Sequence, residues 1–88
     1  MISKRLEVIN ELGLHARVAS RVVREAKKFQ SSVIAQKNEK AYDFKNVTGV
    51  IMVNAKRGDF LTVEFDGEDE EAAAEAMELL FINKFGEK

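Results

Sequence analysis

His15 is the only histidine of this chain, and it stands where a strand-like run gives way to a helix-like one, within Gly13-Leu14-His15-Ala16-Arg17. A neutral imidazole at a helix start can take up a phosphoryl group. The first helical N–H groups have no intrahelical acceptor, and together with the positive end of the helix they would face the new anion. With His15 as N-cap, those groups belong to Ala16, Arg17 and Val18. The same positive field, reinforced by Arg17, disfavours the imidazolium before transfer and stabilises the phosphoryl oxygens after it. Helix-end effects on anions are worth roughly 0.3–1 kcal/mol when exposed and up to about 2 kcal/mol when partly buried. That bias suits a group that must be passed on. Gly13 permits the turn and would let a donor's backbone approach the ring, while Leu12 and Leu14 anchor the loop.

Other chemistry finds little support. The chain has no cysteine, so disulfides and thiolate metal sites are excluded, and no second histidine completes a metal pair. There is no glycine-rich phosphate loop, and Ser20, Ser31 and Ser32 carry no nucleophile signature. No metal and no cofactor is expected.

Several elements must position His15. Ile2 to Ile9 alternates, with Ile2, Lys4, Leu6 and Val8 on one face and Ser3, Arg5, Glu7 and Ile9 on the other, so it reads as a half-buried strand. Asn10-Glu11-Leu12-Gly13 breaks it. From Ala16 to Phe29 the residues Val18, Ala19, Val22, Val23, Ala26 and Phe29 recur at helical spacing. Val33 to Gln36 and Ala41 to Phe44 are short strands around Lys37-Asn38-Glu39-Lys40, a hairpin. Asn46 is suited to N-cap the segment Val47 to Val53, which reads as either helix or strand. Gly58-Asp59 leads into the strand Phe60 to Phe65. Gly67 ends that strand, and the acidic run Glu68 to Glu71 opens a helix with Ala73, Ala76, Met77, Leu80, Phe81 and Phe85 on its core stripe and Leu79 and Ile82 off it. The order β-α-β-β-α-β-α predicts a two-layer α+β sandwich with a split β-α-β arrangement and the helices on one face.

Size and charge agree with this architecture. The 88 residues, with 45% hydrophobic side chains, suffice for a single domain spanning 1–88 and one core. The net charge of −1 argues against a nucleic-acid module. No apolar run reaches membrane-spanning length and no signal-peptide core is present, so no membrane insertion and a cytoplasmic location are expected. Arg17, Arg21, Arg24, Lys27 and Lys28 fall along one side of the first helix, and a basic row beginning next to His15 could serve as a docking surface for an acidic partner.

Gly13-Leu14-His15-Ala16-Arg17, followed by Ala19, resembles the active-site signature of the HPr family of the bacterial sugar phosphotransferase system. Lys45-Asn46-Val47-Thr48-Gly49-Val50 matches the family's second signature region in register, and Gly67-Glu68-Asp69-Glu70 resembles the entry to its last helix. The resemblance implies an open-faced β-sandwich with a four-stranded antiparallel sheet and three helices on one face. It implies that His15 accepts a phosphoryl group from phosphorylated enzyme I, on the ring nitrogen nearer the backbone, and passes it to a sugar-specific IIA domain. It makes Arg17 the phosphate-contacting arginine, aided by the backbone of Ala16, Arg17 and Val18. Arg21, Arg24, Lys27, Val47, Thr48 and Ile51 fall on the implied docking surface. A transient carrier of this kind is best served as a monomer.

Two residues depart from the family pattern. Val18 stands where proline is usual, restoring an N–H that could bond either the neutral His15 ring or the phosphoryl group. Asn46 stands where many members have a serine phosphorylated by a regulatory kinase. Asparagine keeps the cap and cannot be phosphorylated. Two alternatives remain: an HPr-like regulatory paralogue of the nitrogen-related branch, and a split β-α-β ligand- or RNA-binding module. The latter requires stacking aromatics on an exposed sheet face, for which Tyr42 and Phe44 are available.

Overall fold

The computed structural model describes residues 1–87. The chain runs β1 (Ile2–Glu7), α1 (Ala16–Ala26), β2 (Ser32–Lys37), β3 (Lys40–Asp43), α2 (Val47–Met52), β4 (Phe60–Asp66), α3 (Glu70–Ile82) and a single 3-10 turn at Lys84–Gly86. The strands form one antiparallel sheet in the order β1-β4-β2-β3. Because β4 inserts between β1 and β2, the first β-α-β unit is split, as expected.

Burial follows the pleat. Along β4, Leu61, Val63 and Phe65 point into the core while Phe60, Thr62 and Glu64 alternate outward. In β1 the inward row ends with Leu6 and Val8. Val8 lies beyond the regular strand, but its N–H donates to the Asp59 carbonyl and its carbonyl accepts from Gly58, both at 2.8 Å. The β2–β3 hairpin closes through Asn38 and Glu39, both with φ near +60° (53° and 66°), the two-residue turn whose twist suits a tight hairpin. Helices α1 and α3 cover the inner face. Val18, Ala19, Val22, Val23 and Ala26 of α1 meet Ala73, Ala74, Met77, Leu80 and Phe81 of α3 in one core with Phe44 and Phe65.

The ambiguous segment is a helix. The Asn46 carboxamide oxygen accepts from the N–H groups of Thr48 at 2.8 Å and Gly49 at 3.3 Å, capping α2. Gly49 packs against the backbone of Asp43, leaving no room for a Cβ, and Val50 is buried beneath. Tertiary packing thus overrides the extended preference of Val50, Ile51 and Val53.

Three expectations need correction. Helix α1 ends at Ala26 rather than Phe29, although Phe29 still packs against the core. In α3 it is Ala74, not Ala76, that is fully buried. Phe85 does reach the core, but not from the helix. The chain leaves α3 after Ile82 and turns through Lys84 (φ 54°) and Phe85 (φ 57°), and this left-handed turn inserts the Phe85 ring edge-on to Phe81 at 4.7 Å between centroids. Leu79 and Ile82 are exposed, as their off-stripe positions require.

Candidate functional site

The site begins with the loop between β1 and α1. Asn10 is completely buried, and its Nδ2 donates to the Gly13 carbonyl at 2.8 Å. Gly13 adopts φ +69°, and Leu14 donates to the Ala55 carbonyl at 3.0 Å. The close approach that glycine permits is therefore made by the chain's own 55–56 segment rather than by a partner's backbone. Leu14 is buried and anchors the loop as expected. Leu12 is not an anchor: it is 70% exposed.

This loop delivers His15 to the N-cap of α1 in an extended conformation. The first bond of the helix runs from the Ala19 N–H to the His15 carbonyl at 2.8 Å, so the N–H groups of Ala16, Arg17 and Val18 have no intrahelical acceptor. The His15 side chain makes no capping bond. Of the two roles considered for the Val18 N–H, engagement with the neutral ring is thus not observed. The Val18 side chain fills the core.

The nearest charge to the ring has no local signal in the sequence. Nε2 of His15 lies 2.7 Å from Glu87 Oε2, and Glu87 Oε1 accepts from Asn10 Nδ2 at 2.9 Å. The Asn10 amide foremost, then the His15 ring and Arg17, hold the Glu87 carboxyl below the usual carboxylate range against its partial desolvation. A carboxylate therefore stands against the ring at the positive helix end, a correction to the purely positive environment expected. Glu87 is 72 positions away from His15 in the sequence. Asn10 reads in sequence only as a loop residue, because an asparagine side chain shows its partners only once the chain has folded.

Arg17, Arg21 and Arg24 line a groove of about 480 Å³ with Glu11, Leu12, Val18, Phe85, Gly86 and Glu87, the residue that also meets the ring. None of the three guanidinium groups is in an ion pair with a carboxylate among the described residues. Lys27, at the C-cap of α1, lies outside this lining, and Lys28 pairs with Glu25 at 3.3 Å. Helix α2 packs against α1 and exposes Val47, Thr48, Ile51 and Met52. Met52, at 64% exposure, is the most open of the apolar side chains there and belongs with the docking candidates.

Neither of the two aromatics proposed for stacking lies exposed on the sheet's outer face. Phe44 is fully buried and Tyr42 packs against the core. Phe60 is the aromatic on that face, and the Arg5 guanidinium lies over its ring at 4.4 Å.

The family described as the PTS HPr component phosphorylation site matches residues 2–83. The phosphocarrier protein HPr of Cupriavidus necator is 39% identical over 87 residues, covering 99% of this chain and 98% of that protein. Among solved structures, HPr-C-His from Thermoanaerobacter tengcongensis superposes with a TM-score of 0.95 at 34% identity, over 100% of this chain and 99% of that one. A dimeric HPr structure from the same organism superposes at 0.79, with 34% identity over 99% of this chain and all of that one. With His15 at a helix N-terminus on a matching open-faced sandwich, the chain belongs to the HPr family of phosphotransferase-system phosphocarriers.

Proposed function

We propose that this chain carries a phosphoryl group on His15, received from phosphorylated enzyme I and delivered to a sugar-specific IIA domain. The observation that carries this reading is the conjunction at His15: a lone imidazole at an N-cap, three N–H groups without intrahelical acceptors, and Arg17 beside them. In the step itself, a ring nitrogen forms a bond to phosphorus while the donor's bond to phosphorus breaks, and the electron pair of that bond stays with the donor. The Ala16, Arg17 and Val18 N–H groups and the Arg17 guanidinium are suited to hold the phosphoryl oxygens. Their effect is modest and reversible, as a relay requires.

Arg21, Arg24 and Lys27 supply a basic rim, and Val47, Thr48 and Ile51, with Met52, supply an apolar one. Together they suit transient docking of acidic partners around the reactive ring. We infer a single carrier domain acting as a cytoplasmic monomer without nucleic acid, since a copy seated on this surface would cover the site. The described residues contain no helix long and apolar enough to cross a membrane.

The test is incubation with phosphoenolpyruvate and a competent enzyme I, followed by mass spectrometry. An acid-labile gain of one phosphoryl group, lost in His15→Ala, is the expected result. Absence of that gain would remove the sugar-carrier reading, and label that no IIA domain accepts would point to the regulatory branch.

A further inference from the structure

Glu87 and Asn10 form an arrangement that the carrier role alone does not account for. The two Glu87 carboxylate oxygens are separately engaged: Oε1 accepts from Asn10 Nδ2 at 2.9 Å and Oε2 lies 2.7 Å from His15 Nε2. Asn10 is fully buried, and its Nδ2 is held from the other side by the Gly13 carbonyl, so its amide faces two acceptors and its orientation is set. Its oxygen has no partner among the described residues, so what Asn10 contributes here is its donors. Glu87 is held in turn by the left-handed turn at Lys84, Phe85 and Gly86, with the Phe85 ring buried as its anchor.

An ionised carboxylate can only accept. The His15 nitrogen facing it must then carry the hydrogen, and a neutral imidazole has only one. We propose that Glu87, oriented by Asn10, is a positioning residue that fixes the His15 tautomer with the hydrogen on Nε2, leaving the Nδ1 lone pair as the nucleophile. This rests on the carrier reading and gives its chemistry a direction. On transfer, the Nδ1 lone pair forms the N–P bond as the bond from phosphorus to the donor breaks, its electron pair returning to the donor. No proton has to move at His15. Nε2 keeps its hydrogen, and the positive charge the ring acquires is met by the carboxylate at Nε2. Delivery reverses the same step.

The arrangement makes an amide at residue 87 worse than no side chain at all. In Glu87→Gln a single oxygen remains, and its pairing with Asn10 turns the amide NH2 toward Nε2. That nitrogen becomes an acceptor and the ring hydrogen moves to Nδ1, blocking the nucleophile.

The test is 15N NMR of the His15 ring in the neutral form, alongside the rate of phosphorylation by phosphoenolpyruvate and enzyme I. Wild type is expected to show the Nε2–H tautomer. Glu87→Gln should shift the population toward Nδ1–H and slow phosphorylation about tenfold, the scale of one charge-assisted hydrogen bond. Glu87→Ala should fall between them, with thermal melting of both variants near wild type. A wild-type ring bearing its hydrogen on Nδ1, or a Glu87→Gln protein with unchanged tautomer and rate, overturns the proposal. The carrier reading fails separately, when wild-type protein takes no label, because the tautomer is read from the spectrum with or without phosphorylation.

Discussion

Gly13 and Ala55 touch through their backbones: a Cβ built on Gly13 would stand 2.5 Å from the Ala55 carbonyl oxygen. That oxygen also accepts the Leu14 N–H, so one carbonyl fixes the entry to the reactive loop. We expect Gly13→Ala to cost about 2 kcal/mol, from the left-handed backbone and the forced separation of the two segments. Denaturant unfolding measures this, and slower His15 phosphorylation in the fraction that remains folded would show that the loop's seat matters to the ring.

Asn46 caps α2 through its side chain, at the position where the family resemblance implies a regulatory serine. Asn46→Ala should lower stability by about 1 kcal/mol, the usual scale of a lost N-cap, while Asn46→Asp should keep the cap. In a kinase assay we expect no label, since residue 46 lacks a hydroxyl. Label on the exposed Thr48 would overturn escape from that regulation.

Asp69 ties the start of α3 to the chain after α1. The Ser31 hydroxyl foremost, with the Gln30 N–H and then the Ser31 N–H, lowers its carboxyl from 3.8 to about 2. A depressed carboxylate contributes stability that is fully present above the unfolded value and lost as pH falls through the folded one. Acid should therefore erode this contribution between pH 3.8 and about 2. Melting temperature against pH should be flatter across that window in Asp69→Asn than in wild type.

Val18 leaves an N–H free at the third helical position and not bonded to the His15 ring. Val18→Pro removes that donor while tolerating the first helical turn. The phosphohistidine should then hydrolyse roughly two- to fivefold faster, the worth of one modest hydrogen bond. An unchanged lifetime would mean that this N–H does not reach the phosphoryl group.

Arg24 and Ile51 test the proposed docking surface from its two chemistries. Arg24→Glu should slow association with enzyme I most at low ionic strength, where steering is strongest. Ile51→Glu, at a side chain already 43% exposed, should weaken binding at any salt with little effect on melting. Stopped-flow association across a salt series separates the two.

Much of the fold is written in local periodicity. The alternation from Ile2 to Val8 and the helical spacing of Val18, Ala19, Val22, Val23 and Ala26 specify their elements because one face of each must leave water. Asn46 likewise marks a cap from its side-chain chemistry alone. The state of Val47–Met52 is not local in this way: β-branching argues for a strand, and only the contact of Gly49 with Asp43 and the burial of Val50 settle the helix. Phe85 shows the same limit, since its helical spacing is coincidental and a left-handed turn brings it to the core.

The sequence by itself determined that His15 opens a helix with Arg17 close behind, because strand alternation, loop residues and helical spacing meet at that point. Tertiary structure alone decided what faces the ring. Asn10 and Glu87 lie 77 positions apart, and neither has a local pattern that names the other. Their pairing exists because β1, α1 and the turn after α3 pack on one core, bringing a buried amide to the carboxylate that meets the imidazole.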